Sequence, residues 1–497
     1  MTLVQNFPFA AIMLCLAGGV ACTALKPRAA MALALGLTAA VAAMTAAAAV
    51  SCVRAGESYR YLMGHFPAPW GNEIRIGPLE ALIAAGFTIV MILILAGGRS
   101  HILEDTEPDK VQLYCGVACL LMSSLLALVF TNDIFTAYVF VEINTLASCA
   151  LVMIRYRSGM ALAATVRYLI MSLLGSGLFL IGIIILYHIT GHLLMEPMGE
   201  KIRELAASGN YMFPLTVTIG FFTVGLALKS ALWPFSAWLP DAHASATSAS
   251  SGILSGLVIK GYIVLLIKLY YRVFGMELVR ESGVLNALLV LGIGAMTVGS
   301  LYAMREKDVK RMLAYSSVAQ VGYIFAGIGI GTEAGIAAAC VQILVHAVTK
   351  PMLFISAGAL ISASGGSRQF SSLRGAGRRD PLSGLAFAAG AFSMIGIPLF
   401  AGFATKYTLC TAAVGIAGWK GIAILAAVVV STVLNALYYL PALQILFERS
   451  PAGAGEKRKR DIPYTIAVAA FLALHFVLGL RFSGIAEMII SGIRALC

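Results

Sequence analysis

Runs of about 20 mostly apolar residues recur along the whole chain, separated by short polar stretches. A helix needs about 20 such residues to cross the hydrocarbon core of a bilayer. The pattern therefore predicts 14 membrane-spanning helices, with the split between the fourth and the fifth at Thr131–Asp133. The predicted helices cover residues 5–25, 29–53, 77–97, 112–130, 133–154, 162–189, 211–231, 248–271, 284–303, 312–330, 333–362, 382–411, 418–446 and 463–483.

Helix-breaking strings that contain proline lie beside Lys229 and Lys406. Lys229 is followed by Pro234 and then by the string Trp-Leu-Pro-Asp-Ala-His, which ends at His243; Pro398 precedes Lys406. Proline within a span frees backbone carbonyls, which is tolerated only where they face protein or water. One interrupted helix in each half of the chain is typical of transporters built from inverted repeats. A simple proline kink is the alternative at either site.

Composition agrees with a polytopic membrane protein. Of 497 residues, 60% are apolar and 12% are charged, about half the charged fraction of an ordinary soluble domain. These values exclude a soluble enzyme, a nucleic-acid-binding protein and a disordered chain. The nine cysteines are scattered through apolar runs without metal-site spacing, so we expect buried free thiols.

The net charge of +12 is a signal of topology. Counted over alternate loops, 19 of the 35 basic residues lie on one side of the predicted membrane, and 10 lie on the other. Cytoplasmic loops carry the excess of lysine and arginine. With an even number of spans, this rule predicts that both termini lie outside the cytoplasm. Residues 1–6 carry no positive charge, so we expect the first span to stay in the mature chain.

Six basic side chains and one carboxylate, Glu142, fall inside or near predicted spans, and five of these seven groups are weighed together for their cost. An ionisable group at the centre of a membrane costs about 2.5–3.5 kcal/mol, which makes roughly 12–18 kcal/mol for five. Protein stabilities are commonly about 5–15 kcal/mol, so these groups must be paired or hydrated. They are Glu142, Lys229, Lys260, Lys350 and Lys406. Lys268 and Arg272 lie near a predicted span end, and we expect them to extend to the membrane surface.

His346 and Lys350 are four residues apart and so share one face of a helix. A lysine in a low-dielectric site can take up and release protons at working pH. A carboxylate that moves toward or away from such a lysine changes its proton affinity, which is the minimum machinery of a pump. The alternative for His346 is a hydrogen-bonded core histidine.

Several stretches resemble one known family, from about Trp70 to Tyr439. The chain resembles the antiporter-like, proton-translocating subunits shared by respiratory complex I (its L, M and N types), Mrp antiporters (the D type) and membrane-bound hydrogenases. The strings Trp-Pro…Trp-Leu-Pro-Asp-Ala-His and Asp-Val-Lys-Arg…Ala-Tyr-Ser-Ser are the most specific. The matching stretches are Thr131–Glu142, Leu226–His243, Asp308–Tyr323, His346–Lys350 and Gly396–Lys406.

The resemblance implies an all-α polytopic membrane protein with about 14 transmembrane helices, two inverted five-helix repeats and two broken helices. It divides the chain into a three-helix segment (1–111), a first antiporter-like repeat of helices four to eight (112–273), a second repeat of helices nine to thirteen (274–449), and a basic loop with a C-terminal helix (450–497).

The resemblance also implies roles for individual residues. Glu142 and Lys229 would form the carboxylate–lysine pair of the first half-channel. Lys260 would connect the halves, His346 and Lys350 would be central relays, and Lys406 would be the terminal lysine. The supporting residues would be Pro234, His243, Arg167 and Pro398. The family usually has lysine at the position of Arg167; arginine does not deprotonate, so we expect a fixed charge acting on Lys229.

These features favour a proton-translocating subunit of a multisubunit inner-membrane complex, with cation/proton antiport left open. Its expected partners are other membrane subunits, including homologous antiporter-like ones; its ion is the proton, with Na⁺ as an open second ion. No cofactor, metal or nucleic acid is expected, and any redox step would belong to partner subunits. Two alternatives remain: a structural subunit of a hydrogenase- or oxidoreductase-like complex, and a channel that energises uptake of another solute.

Overall fold

The computed structural model is almost entirely helical and describes residues 3–67, 71–156, 158–209, 211–449 and 461–496. Within these residues, 13 helices are long and apolar enough to cross a membrane, and a fourteenth crossing is divided between two shorter helices. The predicted all-α polytopic fold is confirmed. We number the unbroken crossings span 1 (Leu3–Thr23), span 2 (Pro27–Ala55), span 3 (Pro78–Gly97), span 4 (Val111–Phe130), span 5 (Ile134–Met153), span 6 (Gly159–Thr190), span 8 (Ser248–Phe274), span 9 (Val284–Arg305), span 10 (Val309–Ile330), span 11 (Glu333–Ser362), span 13 (Trp419–Phe447) and span 14 (Ile462–Leu480).

Spans 7 and 12 are broken, as the prolines predict. Span 7 runs over Met212–Lys229 and continues as Trp238–Ser245, so that Pro234 lies in the interruption. Span 12 runs over Pro381–Ile395 and continues as Ala401–Val414, with Pro398 in its interruption. Each break lies close to a lysine, since Lys229 ends the first half of span 7 and Lys406 begins the second turn of the second half of span 12.

Spans 8, 10 and 11 form the enclosed centre of the molecule. Their most apolar 18-residue segments are 100%, 94% and 100% buried, whereas those of spans 6 and 13 are 39% buried. Lys260 and Lys350 therefore lie on helices whose apolar segments are enclosed by other described parts of the chain.

Span 8 is not a regular α-helix. It contains π-helical stretches at Leu254–Val258 and Leu269–Phe274. Such stretches are rare and occur frequently at functional sites. Span 8 begins after Thr247, whose hydroxyl accepts a hydrogen bond from the Ser250 amide at 3.1 Å. A side-chain N-cap thus starts the helix here.

The prediction that Lys268 and Arg272 extend to the membrane surface is wrong. Their exposed fractions are 1% and 4%. Lys268 Nζ donates to the carbonyl oxygens of Val129 and Thr131, each at 2.7 Å, and Arg272 forms a buried ion pair with Glu80. Because span 8 is enclosed along its whole length, both side chains reach neighbouring helices before they reach an interface.

The remaining elements are short. Strand β1 (Tyr59–Leu62) pairs antiparallel with β2 (Glu73–Ile76), with Tyr59 opposite Ile76. The basic run 457–460 lies outside the described residues. Short helices cover Arg99–Asp105, Met195–Ala207, Met276–Glu281, Ala376–Arg379 and Phe482–Arg494.

Candidate functional site

Glu142 on span 5 and Lys229 at the break of span 7 form an ion pair. Lys229 Nζ lies 3.7 Å from Glu142 Oε1. The lysine side chain is fully buried, whereas 24% of the glutamate side chain is exposed. The separation exceeds ordinary hydrogen-bond distance, so the contact is between charges without a shared proton.

Two contacts hold the Lys229 ammonium in place. Nζ donates to Thr145 Oγ1 at 2.7 Å and lies 5.4 Å from the ring centre of Tyr262. The lysine stem is fixed by close helix packing: a Cβ added to Gly175 would lie 2.6 Å from the Gly225 carbonyl oxygen and 3.1 Å from Lys229 Cγ. Small residues permit such close approach of membrane helices. The ammonium therefore has a defined position between the carboxylate and span 8.

Lys260 occupies the middle of span 8 and is fully buried. Its Nζ donates to the backbone carbonyl of Ser255, which belongs to the π-helical stretch that precedes it. The Ser255 hydroxyl in turn lies 2.8 Å from the hydroxyl of Ser317 on span 10. The irregular helix thus offers the lysine a neutral acceptor in place of a carboxylate.

Two fully buried histidines lie among the central lysines. Neither ring nitrogen of His346 or His243 has a hydrogen-bond partner among the described residues. His346 is within electrostatic range of Lys260, Lys350 and His243. His243, on the second half of span 7, stacks on Phe354 with ring centres 4.8 Å apart. Since buried polar groups are normally hydrogen-bonded, unpartnered imidazoles beside buried lysines are unusual for a purely structural core.

Lys350 on span 11 is held by three neutral oxygens. Nζ donates to the Leu313 carbonyl at 2.9 Å, to Ser316 Oγ at 2.8 Å and to the Tyr439 hydroxyl at 3.4 Å. His346 lies one turn earlier on the same helix, as the sequence spacing predicts. Among the described residues, no carboxylate lies within ion-pair distance of Lys260, Lys350 or Lys406.

Lys406 lies against the break of span 12. Nζ donates to the Ile395 carbonyl at 2.5 Å and to Thr432 Oγ1 at 2.7 Å, and lies 5.7 Å from the ring centre of Tyr323. Gly396 has φ +93°, and a Cβ there would lie 2.6 Å from Lys406 Cδ. Glycine at this position thus allows both the left-handed turn and the passage of the lysine chain.

One face of span 13 joins the surroundings of Lys350 to those of Lys406. Tyr439 contacts Lys350, and Thr432, seven residues earlier, contacts Lys406. Between them, Asn435 accepts from Ser300 at 3.2 Å and donates to the Met394 carbonyl at 3.0 Å. The arrangement provides a sequence of hydroxyl and amide groups between the two lysines.

Arg167 makes a different contact from the one expected. It donates to Asp241 Oδ2 at 2.5 Å, and its side chain is 67% exposed. Asp241 also accepts from Arg311 at 2.7 Å. The direct partner of Arg167 is therefore a carboxylate on the second half of span 7, and Lys229 has its own partner in Glu142.

The structure brings Glu142 and Lys229 together as a pair. It groups four further residues in the centre: Lys260, His346, Lys350 and His243. Lys406 lies apart from them, and the polar face of span 13 connects its surroundings to those of Lys350. Sequence reasoning missed the groups that hold these lysines. Thr145, Ser316, Thr432 and Tyr439 are ordinary hydroxyl residues of apolar helices, and no spacing in the sequence distinguishes them. Asp241 lies in a motif that is visible in the sequence, but its charge partners come from spans 6 and 10.

Comparison with known proteins gives the family. Residues 131–435, well over half of the chain, match the family model described as NADH:quinone oxidoreductase/Mrp antiporter, TM. This segment includes Glu142, Lys229 and Lys406. The resemblance inferred from the sequence motifs is thereby confirmed.

Individual relatives agree with the family model. The chain is 32% identical over 429 residues to the N-type NADH-quinone oxidoreductase subunit of Desulforudis audaxviator, covering 85% of this chain and 82% of the relative. It is 28% identical over 355 residues to the D-type Na(+)/H(+) antiporter subunit of Alkalihalophilus pseudofirmus, covering 71% of this chain and 69% of the relative.

Two solved structures share the fold. A chain of the membrane-bound sulfane sulfur reductase, an archaeal respiratory membrane complex, superposes with a TM-score of 0.87 at 24% identity, over 99% of this chain and 97% of that one. A chain of the Mrp complex from Dietzia sp. DQ12-45-1b gives a TM-score of 0.85 at 24% identity, over the full length of both. The chain belongs to the NADH:quinone oxidoreductase/Mrp antiporter transmembrane family.

Proposed function

We propose that this chain is a proton-translocating subunit of a multisubunit membrane complex. Protons move between Glu142 and Lys229 in the first half, through Lys260, His346 and Lys350 in the centre, and to Lys406 in the second half. Pro234 and Pro398 shape the two breaks, His243 adds a central imidazole, and Arg167 supplies a fixed charge at Asp241. The named functions of the relatives, an NADH-quinone oxidoreductase subunit and a Na(+)/H(+) antiporter subunit, support this proposal.

The observation that carries the proposal is the way the buried lysines are held. Lys260, Lys350 and Lys406 donate to carbonyl and hydroxyl oxygens, which are neutral. A lysine with neutral acceptors in a low-dielectric site can occupy either protonation state without leaving a buried counter-charge unpaired. Among the described residues, Lys229 is the one lysine of the proposed pathway that has a carboxylate partner, Glu142.

The position of Glu142 supports partners in the membrane. Phe135, Val139 and Leu146 share its face of span 5 and are 46%, 40% and 61% exposed. A partly exposed carboxylate on a lipid-facing surface is costly, so a second membrane subunit should cover it. Both solved structures with this fold come from complexes, which supports other membrane subunits, including homologous ones, as the partners.

We place the chain in the inner (plasma) membrane, with both termini outside the cytoplasm, from the loop charges. We also propose the division suggested by the family: residues 1–111, a first repeat over 112–273, a second repeat over 274–449, and a C-terminal part over 450–497. Cysteines introduced at exposed loop positions and labelled from one side of intact cells would test the orientation.

Two other functions make different predictions. Coupling to Na⁺ is supported by the antiporter relative and would add cation-dependent proton movement. If the chain is a structural subunit, the complex needs it for assembly, but its buried lysines can be replaced without loss of proton transport.

The test compares proton transport in inverted vesicles from a strain that lacks the chain. Internal acidification is followed with a pH-sensitive dye, first with a respiratory substrate and then after a Na⁺ pulse. We expect the wild-type chain to restore acidification and the Lys229→Ala/Lys406→Ala double variant to assemble without restoring it. Equal restoration by both chains would contradict the proposal and favour a structural subunit.

A further inference from the structure

A charged cleft opens where the second half of span 7 meets span 6 and the loops around span 10. Its volume is about 690 Å³. Five basic and three acidic side chains line it, which leaves two positive charges in excess. The cleft lies on the side with the larger number of basic loop residues. The basic residues are Arg167, Arg305, Lys307, Arg311 and Arg368.

Three of the five cations have carboxylate partners. Asp241 accepts from Arg167 at 2.5 Å and from Arg311 at 2.7 Å, Arg311 also contacts Glu306 at 3.1 Å, and Arg368 contacts Asp308 at 3.1 Å. This set accounts for all three acidic residues of the cleft.

Arg305 and Lys307 are the two cations left over. Within the part of the chain that the structure describes, neither makes an ion pair. Both are exposed at the cleft. The cleft therefore presents two free positive charges to an anion.

The wall formed by span 6 indicates where the anion comes from. Span 6 has 32 residues and is about 48 Å long, which exceeds the hydrocarbon thickness of about 30 Å. Arg167 lies eight residues, or about 12 Å, from the first residue of this helix. With span 6 centred in the bilayer, about 9 Å of helix lies beyond the hydrocarbon at each end, so the long Arg167 side chain, which extends toward the start of the helix, reaches the level of the lipid phosphates.

An apolar stripe continues from the cleft along the same face of span 6. Ile170 and Leu174 are 53% and 57% exposed, and they lie three and seven residues after Arg167, toward the interior of the membrane. These spacings put them on one helix face. A free ion needs only the charged end of this surface, whereas a phospholipid uses both the charged end and the stripe.

We propose that this cleft binds the phosphate of an anionic phospholipid, with an acyl chain lying along span 6. Arg305 and Lys307 bind the phosphate, and Arg167 marks the depth of the headgroup. Basic pockets between transmembrane helices on the cytoplasmic side are suited to this chemistry. Arg305 and Lys307 have no part in the proposed proton pathway, so the site is tested through them without a transport assay.

The test uses the full chain in its complex, purified in mild detergent, and measures thermal unfolding during titration with phosphatidylglycerol, phosphatidylcholine or inorganic phosphate. The variant is Arg305→Gln/Lys307→Gln. The matched control is Lys26→Gln/Arg28→Gln, which removes two exposed cations on the same predicted side. Elution volume on size exclusion checks folding, and the single variant Lys307→Gln replaces the double variant if that fails to fold.

We expect phosphatidylglycerol to stabilise the wild type and the control at equal concentrations. For the variant, we expect the half-saturating concentration to rise roughly fivefold per removed charge. Phosphatidylcholine should have little effect. The same half-saturating concentration of phosphatidylglycerol for variant and control would overturn the site. If inorganic phosphate stabilised the protein as much as phosphatidylglycerol, and this effect depended on Arg305 and Lys307, the lipid would be overturned as the occupant.

Discussion

Lys229 Nζ and Glu142 Oε1 lie 3.7 Å apart, with the lysine fully buried and the carboxylate partly exposed on the lateral face of span 5. The separation makes the pair easy to open, since no hydrogen bond has to break between its members. Lys229 also has Thr145 as a neutral acceptor at 2.7 Å. The ammonium can therefore keep its position when the negative charge next to it is removed.

Glu142→Gln tests whether the charge of this pair matters for transport. Glutamine preserves the size of the side chain but removes its charge, so the protein should fold and assemble. Coupled proton movement should fall at least tenfold, because Lys229 then lacks the carboxylate that changes its proton affinity. The measurement is the initial rate of acidification in inverted vesicles, normalised to the amount of assembled complex. A normal rate would remove the pair from the mechanism.

Gly396→Ala tests the break of span 12. Alanine is strained at φ +93°, and its Cβ would lie 2.6 Å from Lys406 Cδ, so the lysine has to move away from the Ile395 carbonyl. We expect a severalfold loss of transport with assembly largely retained, measured in the same vesicles. Gly415→Ala is the matched control at the end of the same span, since Gly415 has ordinary φ and its nearest contact is 3.6 Å away. Equal rates for the two variants would show that the break does not position Lys406.

Glu80→Ala tests the buried ion pair with Arg272. Both side chains are 1% exposed, and removing one partner of such a pair costs about 3–5 kcal/mol because a charge stays buried alone. We expect a clear drop in the unfolding temperature of the purified protein. Glu196→Ala is the control: it removes the partner of Arg60 in a pair with 56% and 31% exposed side chains, which should contribute at most about 1 kcal/mol. Similar decreases in unfolding temperature for both variants would contradict the claim that burial makes the loss of one ion-pair partner more costly.

The crossings of the membrane could be predicted from the sequence because length and hydrophobicity determine them. Even the shortest separation is reproduced, with span 4 ending at Phe130 and span 5 beginning at Ile134. The Asp133 side chain accepts from the Thr136 amide at 2.6 Å and so caps span 5. The breaks could be predicted because Pro234 and Pro398 stand beside further helix-breaking residues; a proline alone does not break a span, since Pro351 lies inside span 11 and Pro441 inside span 13.

Contacts between helices could not be predicted in the same way. In the sequence, Lys268 and Arg272 resemble interfacial cations because they lie close to the end of a predicted span. Span 8 is enclosed by neighbouring helices, and the sequence of span 8 does not show which helices pack against it. The partner of Arg167, Asp241, also lies on a different span, so this ion pair could not be predicted from the sequence either. The π-helical stretches of span 8 contain no residue or motif that predicts a π-helix from the sequence.

The central claim is that the buried lysines transfer protons, and Lys406 tests it most directly. Its acceptors, the Ile395 carbonyl and Thr432, are neutral. Arginine at this position keeps the positive charge but does not release a proton, whereas alanine removes both. The decisive measurement is the rate of coupled acidification in inverted vesicles for Lys406→Arg and Lys406→Ala, each normalised to the amount of assembled complex. We expect both variants to assemble and both to lose coupled transport; near-wild-type transport with arginine would contradict proton transfer through Lys406.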